Sequence, residues 1–185
     1  MKIYITGSSG SGATTLGDKV SEQLNIPQED TDTFFWEPTN PPFTLQRDIV
    51  NLHKVYNEFV AQDSFILSGD CLNWGLPKDD LLNHFTHLIF LYVPWEIREK
   101  RIRDREIKRF GDRILIGGDM HKTHEDFIEW ASHYESERQV GRNLLSQNNF
   151  IEQFEKSGGK TLRFEDDFDL EAVLNKSLSF LKGDL

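Results

Sequence analysis

The stretch GSSGSGATTLG, Gly7 to Gly17, constrains this chain more than any other. It follows the strand-like residues KIYIT and precedes a run with apolar positions at helical spacing, so strand, glycine turn and helix come in immediate succession. Gly7-x-x-x-x-Gly12-x-Thr14 matches the glycine and hydroxyl positions of a phosphate-binding loop. In such a loop the backbone N–H groups of Gly7, Ser8, Ser9, Gly10, Ser11, Gly12, Ala13, Thr14 and Thr15 can converge on phosphate oxygens, aided by the positive end of the helix dipole. Thr14 would present its hydroxyl to Mg²⁺. Where these loops carry lysine, this chain has Ala13. The same letters also have a plain structural reading, a serine-glycine turn capping the helix with Thr14 or Thr15.

Short apolar runs predict strands over residues 2–6, 65–68, 87–93 and 160–164, with a weaker fifth ending near Asp30. Helical patterns fall between them, over 14–24, 45–62, 94–109, 124–142 and 170–181. Alternating strands and helices imply right-handed crossovers and a parallel sheet covered on both faces. Two stretches break the alternation, the aromatic and proline-rich 31–44 and ILIGGDMHKT at 114–123. Both read as loops over the strand ends, where open α/β sheets bind ligands. At 185 residues, without a linker or repeat, the chain reads as a single domain.

A net charge of -10 argues against a nucleic-acid partner, which would require a basic footprint. Residues 98–113 run against that balance, with six Arg and two Lys against four acidic residues. The lone Cys71 fits a reducing compartment, and no apolar run is long enough to be a leader or a membrane span. The expectation is a cytoplasmic protein; the sequence leaves its oligomeric state open.

The opening ITGSSGSGATTLGDKVSEQL resembles that of P-loop nucleoside monophosphate kinases and their small-molecule kinase relatives. Archaeal-type cytidylate kinases also lack the lysine, carrying threonines after GSG. The resemblance implies a three-layer α/β P-loop fold, a five-stranded parallel sheet of order 2-3-1-4-5, and a helical lid over about 98–142. It also implies ATP as donor with Mg²⁺. Ala13 removes a cation that would stabilise charge at the β- and γ-phosphates, so another group must supply it.

RIRDR, Arg101 to Arg105, is similar to the segment with which adenylate-kinase-like enzymes enter their lid. On that resemblance Arg101 lies against the donor base and Arg105 clamps phosphate. Helical spacing lets Arg98, Arg101, Arg105 and Arg109 share one face. Interspersed Glu99, Asp104 and Glu106 leave open a solvated helix laced with ion pairs. The segment from Arg109 to Arg142 and the loop DTDTFFWEPTNPPFT resemble a bacterial group of adenylate-kinase-like P-loop proteins, which implies the fold but no substrate.

On the acceptor side, DTD places Asp30 and Asp32 two residues apart, pointing the same way while the segment stays extended. Shikimate kinases have a similar Asp-x-Asp, which implies Asp30 supporting the metal and Asp32 positioning or deprotonating the acceptor. Helix or turn capping is the equal alternative. Trp36, with Phe34 and Phe35, offers stacking surface for a planar acceptor or ordinary packing; Arg47 is a candidate phosphate contact and Asp70 a candidate substrate or outer metal contact. Six histidines form no convincing metal set. The expectation is thus a kinase acting on a nucleotide or small-molecule acceptor. The alternatives are a shikimate- or gluconate-kinase-like enzyme and a regulatory nucleotide-binding protein without useful catalysis.

Overall fold

The structure, a computed structural model, describes residues 1–136, 142–166 and 168–184, without the side chains of Lys78 and Asp79. Strands β1 (Lys2–Gly7), β2 (Gln28–Asp30), β3 (Phe65–Ser68), β4 (His87–Leu91) and β5 (Lys160–Phe164) form one sheet of order β2-β3-β1-β4-β5. Every neighbouring pair is parallel, with Ile3 opposite Ile66 and His87, and Leu88 opposite Thr161. This is the order that the kinase resemblance implies.

Period-two alternation along the central strands divides the core. Ile3 and Ile5, Ile66, and Ile89 and Leu91 point to one face, where they meet Leu16 and Val20 of α1 (Ala13–Leu24) and Val173, Leu174 and Phe180 of α8 (Leu170–Lys182). Tyr4, Phe65, Leu67, Leu88 and Phe90 point to the other. There they pack on α3 (Ile49–Val60), α4 (Lys78–His84) and α7 (Leu144–Lys156) through Leu52, Tyr56, Leu81, Phe150 and Phe154. Each fully buried side chain of this size contributes about 1.5–3 kcal/mol, so a one-residue register slip, which would exchange the two faces, is strongly disfavoured.

Because all strands run the same way, the segments after β1, β2 and β3 and those after β4 and β5 gather at one end of the sheet. The segment after β2 turns into a short helix, α2 (Thr31–Phe35), capped by Asp30. The extended geometry expected of DTD therefore stops at Asp30. Over that end lie α5 (Trp95–Phe110), a 3₁₀ turn at Gly111–Ile114, and α6 (His121–Ser132), followed by a second 3₁₀ turn at Tyr134–Ser136.

Boundaries differ from expectation where capping decides them. Helix α3 starts at Ile49 because Asp48 accepts from the N–H groups of Val50 and Asn51. The helix expected over 124–142 starts earlier and ends at Ser132; residues 137–141 of that stretch, and of the expected lid, lie outside the described residues. Helix α7, which apolar periodicity did not reveal, is opened by a reciprocal pair of bonds between Asn143 and Ser146. Among the described residues no helix is long and apolar enough to cross a membrane.

Candidate phosphotransfer site

A cavity of about 1070 Å³ opens at the carboxyl end of the sheet, with Gly7 through Thr15 along its floor. Ser11 N–H donates to the Ser8 carbonyl at 3.0 Å, and helix α1 begins where Leu16 N–H reaches the Gly12 carbonyl at 2.9 Å. Gly10 (φ 83°) and Gly12 (φ 98°) take left-handed conformations; a Cβ on Gly10 would also lie 3.0 Å from the Arg98 carbonyl. No acidic residue sits in the first turn of α1 itself, so its positive end is open to an anion in the cavity. The Ser8 and Ser11 hydroxyls are buried without a hydrogen-bond partner among the described residues. An oxyanion in the cradle would supply the acceptors that these groups lack.

Thr14 Oγ1 donates to Asp30 Oδ2 at 2.5 Å, and Asp30 Oδ1 accepts from the Asp32 N–H at 2.8 Å. Asp30 thus caps α2 and reaches the loop hydroxyl at once, so the two readings of this residue are compatible. Among the described residues no cluster of three or more His, Cys, Asp or Glu side chains is arranged to hold a metal ion. One hydroxyl beside one carboxylate nevertheless fits Mg²⁺, which keeps several waters and takes its other ligands from substrate phosphates.

Asp32 lines the cavity with Arg101, Arg105, Arg109 and Arg142. Enclosure by the cleft and the neighbouring Asp30 charge raise its pKa, while Arg142, Arg105 and Arg109 pull it back. Water in the open cavity reaches Asp32, so its desolvation is partial. Arg142, just before α7, reaches back to the loop. Its Nη2 donates to Ser9 Oγ at 2.7 Å and its guanidinium lies 5.0 Å from the Trp130 ring centre. Arg105 donates to the buried Glu106 carboxylate at 3.0 Å, and Arg109 stands 3.9 Å from the same oxygen. Arg101 Nη1 lies 3.4 Å from the Gly10 carbonyl and 3.5 Å from that of Ser11, both weak contacts.

Arg98 does not join its neighbours in the cavity. It is fully buried behind the loop, donating to the Val93, Ser9 and Ala131 carbonyls and pairing with Glu135. The four-arginine face expected of α5 is therefore split: three arginines border the cavity and one anchors the loop. Asp70 also borders the cavity, yet both its oxygens are engaged, by the Leu72 N–H at 3.0 Å and by the Gln147 amide. Gln147 in turn donates to Thr6 Oγ1 and accepts from the Tyr134 hydroxyl. Arg47 is absent from the cavity wall; its guanidinium lies 3.4 Å from the Thr33 carbonyl and 3.7 Å from Glu37.

Trp36 borders the cavity as expected, joined by four residues the sequence reading passed over: Phe43, Gln46, Asn73 and Trp74. On the opposite side stand Phe168, Leu170 and Val173. Arg142 was missed because a helix expected to run to that position gave it no separate signal.

No protein-family model matches the chain. It is 31% identical over 182 residues to the uncharacterized protein YqaC of Bacillus subtilis (strain 168), covering 98% of this chain and 97% of that one. The chain belongs to the YqaC family. Its fold is shared with the shikimate kinase from Bacteroides thetaiotaomicron, at TM-score 0.58, 20% identity and 98% of both chains. It is also shared with a shikimate kinase from Acinetobacter baumannii in complex with shikimate, at TM-score 0.55, 16% identity, 99% of this chain and 93% of that one. The deoxyadenosine kinase from M. mycoides with bound dATP gives TM-score 0.55 and 14% identity over 98% of this chain and 99% of that one. The fold of this YqaC-family chain is that of the P-loop kinases of the nucleoside monophosphate kinase-like class.

Proposed function

We propose that this chain is a phosphotransferase that moves the γ-phosphoryl group of a nucleoside triphosphate, in the presence of Mg²⁺, to a nucleotide or small-molecule acceptor. The observation that carries this reading is that Arg105, Arg109 and Arg142 line the same cavity as Asp32, beside a glycine cradle whose Ser8 and Ser11 hydroxyls have no hydrogen-bond partner among the described residues. Residues 1–185 act as one domain, with 98–142 as its lid.

The donor triphosphate lies along Gly7–Thr15, receiving backbone N–H groups and the Ser8 and Ser11 hydroxyls. Arg101 lies against its base. Thr14 and Asp30 would hold Mg²⁺, which neutralises charge on the β- and γ-phosphates. Asp32 orients the acceptor hydroxyl and takes its proton as the new O–P bond forms and the bond from the γ-phosphorus to the bridging oxygen breaks. The nucleoside diphosphate leaves with that oxygen. Arg105, Arg109 and Arg142 supply the positive charge that Ala13 does not. Trp36 faces the acceptor. Asp70 supports this end from below, and Arg47 braces the loop carrying Trp36.

The test is ³¹P NMR of the full chain with ATP, Mg²⁺ and an acceptor panel. Transfer that disappears in Arg105→Ala and Asp32→Asn while ATP binding persists is the expected result. One observation favours a second reading, a regulatory nucleotide-binding protein: Arg105 is already engaged by Glu106. Stoichiometric ATP binding with no transfer to any acceptor would select it. No ATP binding at millimolar concentration would remove both.

A further inference from the structure

The cavity has two sides, set by strand order. β2 and β3 lie on one side of β1 and β4 and β5 on the other, so the segments that follow them flank the cradle oppositely. Phe168, Leu170 and Val173 come from the β5 side, next to the helix that the phosphate loop opens. Phe35, Trp36, Phe43, Gln46, Asn73 and Trp74 come from the β2 and β3 side, beyond Asp32.

On the β2–β3 side the wall beyond Asp32 carries no basic side chain among the described residues; its carboxylate, Asp70, is held by the Leu72 N–H and the Gln147 amide. The basic side chains nearest these loops are already engaged: Arg47 with Glu37 and the Thr33 carbonyl, and Arg113, from the turn after α5, with Asp119 at 2.8 and 3.0 Å and with Asn40 Oδ1 at 3.3 Å. Of the arginines that do line the cavity, Arg101 and Arg142 stand at the loop and Arg105 and Arg109 at Glu106 of α5. An acceptor bearing a carboxylate or phosphate at its far end would therefore set that charge against an aromatic wall with no basic partner, at a substantial desolvation cost.

What the wall offers is the partly exposed rings of Phe35, Trp36 and Phe43, backed by the buried Trp74, and two amides. Phe35 and Trp74 lie nearly parallel, with planes 20° apart and centroids at 6.3 Å, and Trp36 meets Phe35 edge-on at 84°. Gln46 and Asn73 are exposed to the cavity, and neither side-chain amide has a hydrogen-bond partner among the described residues. An amide offers a donor and an acceptor side by side, which matches the edge of a nitrogen heterocycle. Aromatic faces bind planar rings through stacking.

We propose that the β2–β3 side binds an uncharged alcohol carrying a planar, hydrogen-bonding aromatic ring, the chemical class of nucleosides, in preference to monophosphates and carboxylated polyols. This rests on the phosphotransferase reading for its reaction but not for its binding. In the reaction the ring-bearing alcohol R–OH and the triphosphate give R–O–PO₃²⁻ and the diphosphate, with the hydroxyl proton passing to Asp32.

The experiment measures binding and transfer separately on the full chain. Tryptophan fluorescence and calorimetry, with Mg²⁺ and a non-hydrolysable ATP analogue present, compare four ligand groups. These are nucleosides, their 5′-monophosphates, shikimate and gluconate, and uncharged sugars; ³¹P NMR with ATP follows transfer to the same four. Nucleosides should bind at least tenfold more tightly than the other groups. Trp36→Leu and Gln46→Ala should each weaken that binding about tenfold while circular dichroism and melting temperature stay near wild type. Gln46→Arg should move the preference toward monophosphates or carboxylates. Nucleoside binding without transfer supports the inference and sinks the phosphotransferase reading. Tighter binding of a monophosphate or carboxylate, or no nucleoside binding at millimolar concentration, overturns the inference even if transfer to another acceptor is seen.

Discussion

The Arg98 guanidinium, wholly buried, donates to both oxygens of Glu135 at 2.6 and 2.9 Å while the same side chain holds the Ser9 carbonyl at 3.3 Å. One cation thus ties the phosphate loop to the 3₁₀ turn after α6. Removing the carboxylate alone leaves a buried charge unpaired, so Glu135→Leu should lose about 3 kcal/mol of stability. The double variant Arg98→Met with Glu135→Leu should lose less. Urea titration of both reads the difference, and equal losses would contradict the pairing argument.

Arg142 is expected to act as the substitute for the absent loop lysine. A charge-assisted hydrogen bond is worth about 1.5–3 kcal/mol, so Arg142→Met should lower kcat/KM for the triphosphate roughly 10- to 100-fold. Ala13 opens α1 and borders the cavity, so Ala13→Lys places an ammonium group in the same space. It should recover much of the loss in Arg142→Met and add little to the wild type. Strictly additive effects in this four-enzyme cycle would show that the two positions serve different ends.

Thr14 and Asp30 should matter through the metal. Thr14→Val and Asp30→Asn are each expected to raise the Mg²⁺ concentration needed for half-maximal turnover, with little change in binding of metal-free triphosphate. Asp30→Asn keeps an oxygen that can cap α2, so its melting point should stay near wild type. A loss of triphosphate binding equal in the presence and absence of Mg²⁺ would speak against a metal role.

Asp32 gives a pH signature. Its pKa is raised in the folded chain, first by enclosure and then by Asp30, so the folded state binds this proton more tightly than the unfolded one. The associated stabilisation is present below the ordinary carboxylate pKa of about 4 and is lost as pH rises through the folded value. Asp32→Asn, which mimics the protonated form, should therefore melt higher than wild type at pH 7.5, by a margin that narrows at pH 5. Water in the cleft keeps that margin small. Transfer should fall at every pH. A margin that widens on acidification would reverse the sign of the argument.

The sheet was legible in the sequence because each strand is a short apolar run, and the loop because its glycines and threonines follow β1 directly. β3 and β5 fall at residues 65–68 and 160–164, as the runs predict. Helices α4 and α7 were not legible: the first has only Leu81 and Leu82 as inward positions in a short polar segment, and the second is announced by a cap rather than by its periodicity. Along the cavity, the loop residues, Asp30, Asp32, Trp36 and three of the α5 arginines, Arg101, Arg105 and Arg109, were readable from position after a strand or from helical spacing, whereas the same spacing wrongly included Arg98. Arg142 and Gln147 were not, since each acts across the fold, on Ser9 and on Thr6 and Asp70, and local spacing carries no record of such partners.

The strand order carries one more consequence. Because β2 and β3 lie on one flank of β1 and β5 on the other, the two faces of the cavity are written in stretches of gene that do not overlap: lining residues between Thr31 and Gln46 and between Gly69 and Trp74 on one flank, and Phe168, Leu170 and Val173 on the other. Related chains could exchange the first pair as cassettes while leaving the second untouched, so that, under the proposed function, divergence in the acceptor need not alter the phosphate donor.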